Sequence, residues 1–225
     1  MNRSLTARIR RFGRNTVGAS MVEFSIIAFV MLLLTGGIMD FAVAMFQWNA
    51  ATKAMQQGVR LASVSAPVAA VTGGWTNWTG IANTVVAGDP FPAFKITCTP
   101  TSSTAGSCAC TSGACSGVGF STAGMQTIVF GRGETTCGTV ASGQLAGMCD
   151  TFWRIQPQNV RVIYEQTGMG FAGRPGGPVP TITIELTGLT FDLPFLNNLM
   201  GLPPIPIPAM STSATGEDLS TAAPS

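Results

Sequence analysis

From Phe24 to Met39 sixteen residues, FSIIAFVMLLLTGGIM, follow one another without a charge. A bilayer crossing takes roughly 20 apolar residues. Met21 and Val22 on one side, and Phe41 to Phe46 on the other, extend the run toward that length. The pattern predicts a single membrane-spanning helix, weakest at Gly36-Gly37 because glycine is a poor helix former. Helical periodicity continues past the apolar run. Phe41, Ala44, Trp48, Ala51, Met55, Val59 and Ala62 recur at spacings of three and four, while Asn49, Lys53, Gln56 and Arg60 fall on the opposite face. One helix from about Ser20 to Ala62 would be roughly 64 Å long, about half of it beyond a hydrocarbon core of roughly 30 Å. Its outer apolar stripe is expected to pack on the chain's own later domain, with neighbouring subunits as the alternative.

After Ala62 the texture changes. Ala66-Pro67 and Gly73-Gly74 close the helix. Alternation then predicts strands over 94–99, 125–130, 160–166, 181–187 and 189–195, with Val160, Val162 and Tyr164, and Ile182, Ile184 and Leu186, on the apolar side. Residues 168–178 read as a hairpin loop between two of them. GLPPIPIPAM, around residue 205, is extended but unsuited to an interior strand, since proline has no amide to donate. Four regions are therefore expected: a basic leader over 1–18, the helix over 19–62, a β-rich domain over 63–210 with a cysteine-rich insert over 98–150, and a flexible tail over 211–225. The fold class is α+β, a long N-terminal transmembrane helix packed on a small antiparallel sheet domain with a disulfide-rich loop insert.

Composition narrows the function. Charged residues make up 10% of the chain, against about 25% in soluble domains, while 46% hydrophobic residues exclude general disorder. There is no histidine, which removes histidine triads, histidine zinc sites and imidazole acid–base catalysis. Arg3, Arg8, Arg10, Arg11 and Arg14 put +5 in the first 18 residues, and the remainder carries seven bases against ten acids. An arginine flank beside an apolar segment holds an N-terminus in the cytoplasm, so the arm reads as a topology signal and no nucleic-acid partner is expected.

Cys98, Cys108, Cys110, Cys115, Cys137 and Cys149 all follow the span. An even count on the outward side reads as up to three disulfides, with 15 pairings open. A metal site is disfavoured, because the spacing lacks paired C-x2-C units. Gly168, Gly170 and Gly173 match a dinucleotide fingerprint, but the Arg-Pro-Gly-Gly-Pro that follows cannot open the helix the fingerprint needs. Asp89, Asp150, Glu165, Glu185 and Asp192 show no spacing that would pair two carboxylates, and are expected on a solvated surface.

Glu23 calls for a more particular explanation. A carboxylate driven to the bilayer centre costs about 2.5–3.5 kcal/mol, though at the interface it can snorkel. In Gly18-Ala19-Ser20-Met21-Val22-Glu23-Phe24, a cut after Gly18 would put Glu23 at the fifth position of a new chain. There it could meet the free ammonium of a neighbouring subunit and set register between parallel helices.

The basic leader, Gly18, and Glu23-Phe24 resemble a type IV prepilin signal. GASMVEFSIIAFVMLLLTGGIMDFAVAMFQWNAATKAMQQGVRLAS is similar, almost throughout, to the N-terminal segment of TadE-like pseudopilins of the Tad (tight adherence, Flp pilus) system. Asp40-Phe41, Asn49 and the Gly58-Val59-Arg60 turn carry the likeness, and STSATGEDLS at 211–220 resembles the way such chains finish. The insert over 98–150 departs from that pattern. The resemblance implies cleavage by a prepilin peptidase between Gly18 and Ala19, in a site that includes Glu23 and Phe24, with Glu23 aligning subunits. It also implies an inner-membrane protein with a periplasmic body, entering or assisting a surface pilus. The expected partners are prepilin peptidase, other pilins or pseudopilins, the Tad inner-membrane platform and the lipid bilayer. The implied role is structural, in pilus assembly, initiation or capping, with no catalysis and no cofactor. Two alternatives stand beside it. One is a membrane-anchored periplasmic binding or adhesion domain that uses the helix only as an anchor. The other is ordinary signal-peptidase cleavage after Ala42-Val43-Ala44, which would leave a soluble chain starting at Met45.

Overall fold

The computed structural model describes residues 16–75, 86–113, 115–138, 140, 142–174 and 177–216. Most of the basic leader and the last nine residues of the expected tail lie outside them. Contacts divide the chain into two units, Met1–Met45 with Asp192–Pro204, and Phe46–Phe191 with Ile205–Ser225.

Helix α1 runs unbroken over Thr16–Ser63, 48 residues. No proline interrupts it, and its polar side chains are absorbed locally: the Ser25 hydroxyl donates to the Met21 carbonyl at 2.7 Å and Thr35 to Met31 at 2.8 Å. Gly58-Val59-Arg60 is a turn of the helix itself. A Cβ on Gly58 would overlap the Met148 side chain, so this glycine serves close packing. The helix stops where Ser65-Ala66-Pro67 begins, because the residue before a proline is disfavoured in the helical region.

In the second unit five antiparallel strands form one sheet in the order β3-β2-β5-β6-β7. Their bounds are β2 Phe94–Pro100, β3 Gly106–Gly113, β5 Val160–Glu165, β6 Thr181–Leu186 and β7 Met210–Thr215. A two-stranded ribbon pairs β1 Ala69–Val71 with β4 Val118–Phe120. The expected alternation holds, with Val160, Val162, Tyr164, Ile182, Ile184 and Leu186 buried. They share one core with Ala51, Ala54, Met55, Val59 and Ala62, so the apolar stripe of α1 packs on the chain's own sheet from Trp48 onward, while Phe41, expected in the same stripe, is exposed. Asn49, Lys53, Gln56 and Arg60 are exposed, as their spacing requires.

Several expectations need correction. Residues 125–130 are not a strand but most of helix α2, Thr122–Phe130. The Ser121 hydroxyl caps it by accepting the Gly124 N–H at 3.1 Å, and Met125, Ile128 and Val129 bury one face at i, i+3 and i+4. Residues 189–195 are not a strand either. Thr190 makes a single bridge to Pro206, and Pro194–Leu199 is a short, wide helical turn. The tail does not begin at 211, because Met210–Thr215 pairs with β6 in register from Leu186↔Met210 to Thr181↔Thr215. Small Ser and Thr residues hide this strand from an alternation test, yet β6 needs a backbone partner on that side. The cysteine-rich segment also supplies strand β3 to the main sheet as well as loop.

Candidate functional site

The N-terminal part of α1 is apolar on every side. Met21, Phe24, Ile27, Phe29, Leu32 and Leu34 occupy different angular positions and are all exposed. A helix that is apolar all round belongs in a core or in a bilayer, and this one is long and apolar enough to cross a membrane. Glu23 stands exposed among these side chains, next to Phe24. The Gly18–Ala19 bond lies near the start of the described part of the helix.

Asp40 is different. It is 1% exposed in an otherwise apolar stretch. Its carboxyl group accepts the N–H of Phe195 at 3.1 Å and of Leu196 at 2.7 Å. The first turn of Pro194–Leu199 thereby directs two of its free donors at one acidic side chain, the arrangement favoured at a helix N-terminus. One helical turn earlier, a Cβ on Gly36 would come within 2.6 Å of the Phe195 ring, whereas a Cβ on Gly37 would meet nothing within 4 Å. Gly36 is therefore the landing place of Phe195, a role the sequence reading missed. Asp40 itself offered a signal, since an ionisable residue inside an apolar span needs a partner. Its partners lie 155 and 156 residues away, so no local pattern could name them.

The six cysteines form Cys98–Cys108, Cys110–Cys115 and Cys137–Cys149. Cys98 and Cys108 face each other across β2 and β3, and Cys110–Cys115 ties down the end of β3. Cys137–Cys149 joins a loop to the short helix α3, Met148–Thr151. Asp150 reinforces that loop by accepting the Gly138 and Gly147 N–H groups at 2.7 and 2.8 Å. Glu165 pairs with Lys95 at 3.0 Å and Glu185 with Arg161 at 3.2 Å, across neighbouring strands. Gly168, Gly170 and Gly173 all have positive φ in the loop between β5 and β6.

Residues 18–60 match the family model described as TadE-like protein. The chain carries a TadE-like N-terminal segment. This segment holds Glu23, Gly36, Asp40 and Gly58, and ends three residues before α1 does. It spans 43 of the 225 residues. Neither curated proteins nor solved structures yield a match.

Proposed function

We propose that this chain is a minor pseudopilin of a Tad/Flp-type pilus, acting structurally in assembly, initiation or capping. The observation that carries the reading is an all-round apolar, exposed stretch of helix that falls within the TadE-like segment and bears Glu23 exposed on its surface. On this reading a prepilin peptidase cuts between Gly18 and Ala19. The new ammonium of one subunit then meets Glu23 of another, and helices pack side by side with other pilins or pseudopilins at the Tad inner-membrane platform. The arginine leader stays cytoplasmic, and the disulfide-bonded body faces the oxidising periplasm.

The test is the N-terminus of the protein taken from its native membranes, together with pilus counts in a Glu23→Ala strain. Ala19 at the terminus and loss of pili with normal membrane insertion are expected. A terminus at Met45, or undiminished pili in the variant, overturns the proposal. The second reading, a binding or adhesion domain that needs only an anchor, is favoured by the compactness of the second unit, with its own core and three disulfides.

A further inference from the structure

The geometry points to a second membrane contact in this protein, made by the loop Asp192–Pro204 at the outer face of the bilayer. The inference rests on α1 spanning a membrane, and adds a surface that neither the apolar span nor the TadE-like match assigns.

Position is the first argument. The loop is clamped to α1 at Gly36 and Asp40 through Phe195 and Leu196. Those anchor points lie about 22 and 28 Å along the helix from Met21, at about 1.5 Å per residue. A hydrocarbon core is roughly 30 Å thick. A loop held at that height meets the far lipid boundary.

Side-chain chemistry is the second. Leu199 is 72% exposed, Met200 48% and Leu202 48%. Ile38, Met39 and Phe41, on the helix of the same unit, are exposed as well. From Leu193 to Gly216 no residue is charged. Asn198 is exposed, polar and neutral, which suits the headgroup level.

The third argument concerns the backbone. Irregular chain tolerates an apolar medium only when its polar groups are already paired. Phe195 and Leu196 donate to Asp40, Asn197 to Leu193, Met200 to Phe195 and Leu202 to Leu196. Pro194, Pro203 and Pro204 have no N–H to satisfy. Between Met21 and Met39 the apolar side chains of α1 are exposed at many angular positions, and lipid is the occupant that surrounds such a helix before any subunit packs on it.

The experiment places a photo-crosslinking benzoylphenylalanine at Leu199, Met200, Phe29 or Ser213 of the full-length chain. Each protein is reconstituted in phosphatidylethanolamine–phosphatidylglycerol vesicles and irradiated. Lipid adducts at Phe29, Leu199 and Met200 and none at Ser213, an exposed position on β7, are expected. Adducts at Phe29 alone overturn the loop contact and leave the anchor standing. No lipid adduct even at Phe29 overturns the membrane span itself. Chain-to-chain adducts at Leu199 and Met200 in place of lipid overturn the inference in favour of a subunit interface.

Discussion

Asp40 and Gly36 show how much a single residue decides when its partner is far along the chain. Glycine at both 36 and 37 weakens a helix by about 1 kcal/mol each relative to alanine. Gly36→Ala would drive a methyl into the Phe195 ring, while Gly37→Ala meets open space. The expected outcome is faster amide exchange at Phe195 and Leu196 in the first variant, and unchanged exchange with a slightly more stable helix in the second. Equal behaviour of the two would contradict the docking geometry. Tyr164, the sole tyrosine, makes a different point. Burial pushes its hydroxyl well above the ordinary phenol range, only partly offset by backbone N–H groups, among them Val68 at 2.9 Å. A folded value raised above the unfolded one, about 10, stabilises the fold fully below that pH, and the contribution is lost as pH climbs past it. Phenolate absorbance should therefore appear together with unfolding above about pH 10 and not before it. Tyr164→Phe should blunt that alkaline loss while costing about 1–3 kcal/mol at neutral pH, because the buried Val68 N–H loses its acceptor. A thermal melt at both pH values reads the two effects.

Elements that can be checked against their own periodicity were legible; those completed by others were not. The outer half of α1 and strands β2, β5 and β6 follow from alternation between apolar and polar positions, since burial of one face is a local pattern. Helix α2 was misread as a strand, although Ser121 before Thr-Ala-Gly and the Met125, Ile128, Val129 spacing carried the correct signal. Strand β7 had no such signal, because MSTSAT becomes a strand by bonding to β6. Truncation after Ala209 should accordingly strip six paired positions from β6 and uncover Ile182 and Ile184. At about 0.5–1.5 kcal/mol per hydrogen bond the loss is several kcal/mol. The truncated chain is expected to melt well below the full one and to aggregate through the bared edge. An unaltered melting temperature would show the strand to be dispensable.

At the scale of the whole molecule the two readings of function separate on one substitution. Replacing residues 19–35 with an unrelated apolar span keeps Gly36, Asp40 and the α1 residues that line the sheet core. If the helix only anchors the domain, the replacement preserves function. If it packs into a pilus, pili are lost although the protein is made and inserted. A replacement reaching to residue 62 would confound the two outcomes, since Ala51, Ala54, Met55 and Val59 belong to the folded core.

The membrane-length helix, the TadE-like segment and the antiparallel pairing of β5 with β6 were all readable along the chain. Each depends on spacing or charge within a few turns or strands, where geometry is periodic. Three other features arise only on folding: which cysteines pair, the conversion of residues 210–215 from apparent tail to edge strand, and the union of Asp40 with Phe195 and Leu196. In each of them a group left unsatisfied by its own neighbours is completed by one distant in sequence. Periodicity carries no record of such pairings, because they depend on which surfaces meet once the chain has closed on itself.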